Sequence, residues 1–314
     1  MSSKKASAGN FGWTLPVSLV AMAIVAVVAF KNKQQPASPT VSRTMEVELT
    51  QPSVSDTPPA AAADANMLLG NPSSATSDSA NRDNYLMIKP YYCLSYNSGK
   101  GIPNWVSWKV DLSDLGKAPR KQTFDADETL PAGFRRVQSA DYGGSGFDRG
   151  HMCPHSDRAA SKAMSYSTFV MTNIIPQAPN VNQQAWADLE EYCRRLVAKE
   201  NQHLYIVSGP AGQGGVGSKG RATTIGQSDD IVVPAKCWKI IVCVPASGGE
   251  DDRSKISAST RVITVIMPND NAVSQGWEQY RTSPQQVEQE TGYTFFANLP
   301  TNVAQTLRKK TDRQ

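Results

Sequence analysis

The stretch FDRGHMCP (residues 147–154) carries the most informative pattern in the sequence. His151, one of only three histidines in 314 residues, follows a glycine and a charged Asp–Arg pair. Glycine lets a backbone approach a substrate closely, and the guanidinium of Arg149 offers forked donors to phosphate oxygens. A neutral histidine accepts a proton near neutral pH. Taken alone, the stretch is equally compatible with a surface loop that carries an ion-paired Asp148 and Arg149.

A second pattern begins with TNIIPQ (residues 172–177) and runs through an Asn-rich loop into a predicted helix over residues 185–198. The helix is predicted from the spacing of its apolar positions, with acids early and arginines late, as the helix dipole prefers. Glu190 and Arg194 lie four residues apart, so they share a face of that helix. Asn182 stands before it, where an amide oxygen can bind a hard cation. Alone, this pattern also describes an N-capping asparagine followed by an ordinary Glu–Arg pair.

Other elements are predicted around these two patterns. Strands are predicted over residues 85–88, 91–96, 105–110, 204–207, 237–244 and 261–267, and a helix over residues 283–291. The strand at 105–110 alternates apolar and polar residues, so we expect it to be half-buried. Strands and helices do not alternate regularly, which favours an α+β fold over a doubly wound sheet.

Together the two patterns resemble the DNA/RNA non-specific endonucleases of the ββα-metal type, the family that includes endonuclease G. The resemblance covers roughly residues 84–300. It implies an α+β, ββα-metal nuclease fold in which a central, mostly antiparallel sheet is flanked by helices. It also implies an enzyme that cuts DNA and RNA without sequence preference.

The resemblance assigns roles to single residues. His151 matches the general base, Asn182 the single protein ligand of Mg²⁺, and Glu190 a residue that orients metal-bound water. Asp148 matches the first motif position and supports its geometry, and Arg120 is the candidate for a further substrate-binding arginine upstream. The residues that match positions around the phosphate are Arg149, Asn173 and Arg194.

The implied chemistry suits phosphodiester hydrolysis. A neutral histidine can activate water, and a Mg²⁺ ion held by one amide oxygen keeps most of its waters, with Mn²⁺ as the alternative ion. DNA and RNA share the backbone phosphate, so contacts made there carry no sequence information. Two alternatives stay open at this point: a non-catalytic nucleic-acid-binding protein on the same fold, and a hydrolase of other phosphodiesters.

Three further features suggest other kinds of site, and each is interpreted differently. His155 follows His151 by four residues, but a proline intervenes, so a metal-binding histidine pair is not expected. His203 precedes a buried strand and is expected to be structural or exposed. Residues 212–217 fit a dinucleotide-binding glycine pattern, but the polar stretch 218–224 predicts a loop where that pattern requires a helix.

Composition sets only broad limits. A net charge of +4 and a pI of about 8.7 permit contact with a polyanion, but a solvated basic face gives the same values. The five cysteines contain no C-x-x-C pair, which argues against a structural zinc site. They are compatible with one or two disulfides or with buried free thiols.

The N-terminal segment predicts export. Lys4 and Lys5 precede an apolar run from Leu15 to Phe30, typical of a cleaved signal peptide or an uncleaved signal-anchor within residues 1–33. In the second case residues 11–30, about the length that crosses a bilayer, anchor the protein in a membrane. Both alternatives place the rest of the chain in the periplasm or outside the cell.

The remainder divides into three parts. Residues 34–80, rich in Pro, Ala and Ser, predict a flexible linker, in which the apolar island at 67–69 is a candidate for docking on the domain. Residues 81–302 are predicted to form the nuclease domain, and residues 303–314 a basic C-terminal tail. The sequence leaves open whether the protein forms a homodimer.

Overall fold

A computed structural model describes residues 65–248, 251–273 and 276–314 of the chain. The predicted signal segment (residues 1–33) and most of the predicted linker lie outside these ranges. Within them, no helix combines the length and the apolar character that a membrane span requires.

The secondary structure is mixed. In chain order, the strands are β1 (Tyr85–Ile88), β2 (Cys93–Asn97), β3 (Ile102–Val110), β4 (Asp148–His151), β5 (Ile174–Gln177), β6 (Gln202–Ala211), β7 (Gly215–Gly217), β8 (Gly220–Ala222), β9 (Thr224–Ile225), β10 (Ile231–Val232), β11 (Lys236–Pro245) and β12 (Arg261–Pro268). The α-helices are α1 (Lys162–Ser167), α2 (Trp186–Glu200), α3 (Asp252–Lys255), α4 (Pro284–Thr291) and α5 (Thr301–Arg308). Short 3-10 helices cover Leu112–Asp114, Ser139–Tyr142, His155–Arg158, Met171–Asn173 and Trp277–Tyr280, and a π-helical turn, Val181–Ala185, precedes α2.

Six strands form one sheet in the order β1-β2-β3-β6-β11-β12, and every neighbouring pair in it is antiparallel. Alternate residues of the central strands point to two hydrophobic layers. On β11, Cys237 and Ile241 belong to the layer shared with α2, whereas Trp238 and Ile240 belong to the layer shared with α4 and α5. Helices therefore flank both faces of the sheet, which confirms the predicted α+β fold.

Strand β3 differs from its prediction because it is buried on both faces. The polar residues that alternate along it are covered by the segment that precedes the sheet. Ser107 Oγ donates to the backbone oxygen of Asn66 at 2.6 Å, and the backbone N–H of Lys109 donates to Oδ1 of Asn66 at 3.1 Å. The polar residues therefore alternate along β3 because they hydrogen-bond to a covering segment, not because they face water.

The folded part also extends beyond both predicted boundaries. Leu68 and Leu69 are buried, and Nε1 of Trp105 donates to Oγ of Ser73 at 2.7 Å, so residues 65–80 pack on the domain. At the other end, Leu307 of α5 is buried, and residues 303–314 are not a free tail. In both segments a few apolar side chains pack on the sheet. The composition of these segments, which is mostly polar or small, gives no indication of this packing.

Both predicted helices are present. Helix α2 begins one residue after the predicted start at residue 185, runs past the predicted end at residue 198 and stops at Asn201, which adopts a left-handed conformation with φ of 52°. Ser283 caps α4 and Gly292 ends it. The stretch 218–224, predicted as a loop, contains strand β8, which forms a hairpin with β7. The glycines at 212–217 therefore do not begin a helix.

A separate two-stranded sheet positions the motif of residues 147–154. Strand β4 pairs antiparallel with β5, with His151 opposite Ile174 and Asp148 opposite Gln177. After β5 the chain passes through the π-helical turn into α2, which packs on the central sheet. This β4–β5–α2 unit brings the two sequence patterns side by side.

Candidate active site

One cleft of about 540 Å³ lies against the β4–β5–α2 unit. It collects nearly all of the residues singled out in the sequence, although they come from three separate segments of the chain. The predicted site residues that line it are Arg120, Asp148, Arg149, His151, Asn182, Glu190 and Arg194. Asn173 is the exception.

His151 ends β4 inside an aromatic enclosure. Its ring centroid lies 5.2 Å from that of Phe124 and 4.8 Å from that of Phe169. Nε2 is buried and has no hydrogen-bond partner in the part of the chain that the structure describes. Burial, reinforced by the positive charge of Arg120 and by His155, lowers the pKa of His151 to about 3. The imidazole is therefore neutral near pH 7 and able to accept a proton, and a phosphate anion in the cleft would raise its pKa.

Gly150 is required where β4 meets β5. A Cβ at this position would lie 2.2 Å from Oε1 of Gln177 and 2.6 Å from its Cβ. Any side chain would therefore push apart the two strands that carry His151. This packing requirement explains the glycine better than positive φ, which residue 150 does not have.

Asn173 lies behind the cleft and not in it, which corrects its implied place at the phosphate. Its side chain is fully buried, and its amide is occupied by backbone groups. Oδ1 accepts from the N–H of Cys153 at 2.9 Å, and Nδ2 donates to the carbonyls of Cys153 at 2.8 Å and Thr168 at 2.9 Å. Asn173 thus fixes the backbone just after His151.

Asp148 orients Asn182 across the cleft. Nδ2 of Asn182 donates to Oδ2 of Asp148 at 2.9 Å, and Nε2 of Gln183 donates to the same oxygen at 2.7 Å. A carboxylate only accepts hydrogen bonds, so the amide must present its NH₂ group to Asp148. Oδ1 of Asn182 is left without a protein partner in the described residues and is available to a ligand.

The free amide oxygen of Asn182 is a suitable ligand for a hard cation. Within residues 65–248, 251–273 and 276–314, no group of three or more His, Cys, Asp or Glu side chains forms a metal cage. A cation in this cleft would instead rest on the amide oxygen of Asn182, with the Glu190 carboxylate nearby. Few protein ligands and mostly water suit Mg²⁺.

Glu190 and Arg194 project from α2 and are held by buried partners. Nη1 of Arg194 lies 3.1 Å from Oδ1 of Asp157, whose Oδ2 accepts from Nε1 of Trp108 at 3.1 Å. Oε1 of Glu190 lies 3.4 Å from Nζ of Lys239. Burial raises the pKa of Glu190, and the ammonium of Lys239 opposes that shift.

Two more arginines give the cleft a positive rim. The guanidinium of Arg120 lies 5.2 Å from the ring centroid of Phe169. Nε of Arg149 donates to the backbone oxygen of Ser139 at 3.1 Å, which fixes its side chain at the edge of the cleft. Guanidinium groups carry a fixed positive charge, so this rim attracts an anion.

Several residues in or beside the cleft were not predicted from the sequence. Phe124 and Phe169 stand in segments with no motif, and no local signal marks them. Lys239 lies on a predicted strand, but nothing in the sequence marks its place beside the site. His155 lines the cleft, with its ring centroid 6.4 Å from that of His151. Its position four residues after His151 was the available signal. Of the three histidines, only His203 lies elsewhere, with Nδ1 2.6 Å from Asp252 Oδ2.

The sequence and the fold of this chain are similar to those of known proteins. Residues 69–302 match the DNA/RNA non-specific endonuclease family. The chain is 44% identical over 248 residues to a protein named Nuclease from Nostoc sp., covering 78% of this chain and 85% of that protein. It is 30% identical over 223 residues to mitochondrial endonuclease G of Homo sapiens, covering 68% of this chain and 70% of that protein. A chain in the crystal structure of the EndoG/EndoGI complex matches with a TM-score of 0.61 at 25% identity, covering 76% of this chain and 92% of that chain.

Proposed function

Because the chain belongs to the DNA/RNA non-specific endonuclease family, we propose that it cuts DNA and RNA with His151 as general base and Mg²⁺ held by Asn182. The protein is a nucleic-acid hydrolase by family; the metal and the residue roles are the proposal. The observation that supports them most directly is the convergence of His151, Asn182 and Glu190 in one arginine-rimmed cleft.

His151 is placed to take a proton from water. Its Nε2 is enclosed by protein, so Nδ1 is the nitrogen left to accept the proton. The low pKa of the imidazole keeps it unprotonated, and the negative phosphate raises that pKa when substrate enters. The base is thus strengthened when the substrate is present.

The remaining side chains bind and orient the phosphate. Arg120, Arg149 and Arg194 supply fixed positive charge, which stabilises the extra negative charge of the transition state. Glu190 offers a carboxylate that accepts hydrogen bonds from water in the cleft. Mg²⁺, when bound, polarises the scissile phosphate and aids departure of the leaving oxygen. Mn²⁺ has the same preference for oxygen ligands and is expected to substitute.

A cleavage assay on plasmid DNA and on single-stranded RNA tests this function. We expect EDTA to abolish cleavage and Mg²⁺ to restore it. His151→Ala should lower kcat by about 10²–10⁴-fold while binding persists, and Asn182→Ala should raise the Mg²⁺ concentration needed for half-maximal activity. His203→Ala, at the histidine outside the cleft, is the matched control. Inactivity with every divalent cation, or near-normal activity of His151→Ala, would overturn the proposal.

Other phosphodiesters also suit the chemistry of this cleft. The dependence of the rate on substrate length distinguishes a nuclease from a hydrolase of small diesters. A nuclease gains binding energy from phosphates beyond the scissile one, so long DNA and RNA should react far faster than a small diester. Equal kcat/KM for a small diester and a long polymer would instead favour a hydrolase of nucleotides or lipid headgroups.

We also propose that the protein is exported, on the basis of Lys4, Lys5 and the apolar run from Leu15 to Phe30. Mass spectrometry of the mature N-terminus distinguishes the two forms of export. A new N-terminus near residue 30 indicates a cleaved signal peptide, and an intact one in the membrane fraction indicates an anchor. Recovery of the intact chain in the cytoplasm would contradict export.

A further inference from the structure

Lys239 is a fully buried lysine on β11, an interior strand of the main sheet. Its side chain is 1% exposed. On the face of β11 that meets α2, its neighbours Cys237 and Ile241 are part of the hydrophobic layer. A buried ammonium is costly unless it is paired, so an aliphatic residue would be the ordinary choice at this position.

The ammonium group is held by one carboxylate and two aromatic rings. Nζ of Lys239 donates to Oε1 of Glu190 at 3.4 Å, its only hydrogen bond in the described residues. Nζ also lies 4.2 Å from the ring centroid of Trp186 and 5.8 Å from that of Trp108. Such rings stabilise a desolvated cation and leave it little freedom to move.

The carboxylate of Glu190 is therefore held through only one of its two oxygens. Oε1 faces Lys239 beneath the cleft, whereas Oε2 has no hydrogen-bond partner in the residues that the structure describes, and the side chain lines the cleft. The other charges that act on this carboxylate are Arg194 on α2 and Asp157 on the turn that follows β4. Cys193 of α2 and Cys237 of β11 are further titratable groups whose pKa the charge of Lys239 influences.

We propose that Lys239 is a positioning residue that keeps Glu190 charged and directs its free oxygen into the cleft. This inference rests on the proposed function of Glu190. Lys239 does not touch the substrate, because Glu190 lies between it and the cleft. Its contribution to the reaction is expected to pass entirely through that carboxylate.

A double-mutant cycle of Lys239→Met, Glu190→Gln and the double variant tests the proposal. Methionine keeps the unbranched, adaptable shape without the charge. Lys239→Met should lower kcat about tenfold or more at pH 6, leave KM largely unchanged and move the acidic limb of the pH–rate profile upward, because Glu190 protonates more easily. In the Glu190→Gln background the same substitution should cause no further loss of kcat. Losses that multiply in the double variant, or an unmoved acidic limb, would overturn the proposal.

Unfolding of the metal-free protein in EDTA supplies a second readout. Lys239→Met should lower the midpoint of denaturation, and the double variant should recover much of the loss because it leaves no lone buried charge. If Lys239→Met fails to fold and the double variant folds, the pairing is supported; if neither folds, Lys239 supports the sheet independently and the proposal fails. A fully active Glu190→Gln would refute the role of Glu190 instead, while the stability cycle still tests the pair.

A neighbouring ion pair provides the control. Lys236 lies on the same strand, and its Nζ is 2.8 Å from Oε1 of Glu290 at the surface. Exposed pairs contribute little to stability. Lys236→Met should therefore leave both the pH–rate profile and the unfolding midpoint unchanged. A shift equal to that of Lys239→Met would show a general effect of charge, which contradicts the specific role.

Discussion

Acidification should destabilise the metal-free protein through His151, and the size of the effect follows from its burial. The pKa of this imidazole is about 3 in the native state against an ordinary value of 6.5. Below pH 6.5 the unfolded chain therefore binds a proton that the native protein does not bind. Stability falls as the pH is lowered through this window, and the loss is complete near pH 3.

The magnitude is large enough to measure. Each pH unit in which only the unfolded state carries the proton costs about 1.4 kcal/mol. Between pH 6.5 and pH 4.5, titration of the unfolded histidine is partial at first and nearly complete at the end, which amounts to about 2 kcal/mol. A native pKa one unit higher changes this figure little, because the protein stays above that pKa throughout the interval.

Urea unfolding in EDTA at pH 6.5, 5.5 and 4.5 isolates the contribution. Other groups titrate in both proteins, so the informative quantity is the difference in unfolding free energy between the wild type and His151→Gln. Relative to the wild type, His151→Gln should become more stable by about 2 kcal/mol across the interval. A difference that stays constant with pH would refute the reasoning that burial keeps the imidazole neutral. An imidazole NMR titration of the wild type offers a direct check.

Three other outcomes are expected. Asp148→Ala should raise the Mg²⁺ concentration required for cleavage by about tenfold or more, since its carboxylate fixes the Asn182 amide, and an unchanged metal titration would contradict that role. Gly150→Ala should lower the free energy of unfolding by about 1–3 kcal/mol, because the new Cβ meets Gln177; wild-type stability in urea would show that β4 and β5 separate easily. The five cysteines, all free and buried, should resist a thiol reagent in the native state and react fully in urea, and rapid labelling of the native protein would contradict their burial.

The residues that sequence analysis located are those with local signatures. His151, Asn182 and Glu190 stand in short patterns that are recognisable in the sequence, and the helix that carries Glu190 forms as predicted, whereas strands β4 and β5 were not predicted. The central antiparallel sheet was likewise predictable from the motif's family resemblance, which the structural comparison confirms.

What sequence analysis missed depends on contacts between distant segments. Lys239 and Glu190 are 49 residues apart, and no residue next to Lys239 in the sequence indicates its partner. Asn173 stands next to the motif in space, yet only the structure shows that its amide is occupied by the backbone of Cys153. A motif identifies which residues matter, but not which of them face the substrate.

The packing of residues 65–80 bears on how this protein can be presented to large substrates. Leu68 and Leu69 pack in the layer with α4 and α5, on the sheet face away from α2 and the cleft. A carrier, bead or fusion partner joined ahead of residue 65 is therefore attached at the back of the domain. Immobilisation through that end should leave the cleft directed outward.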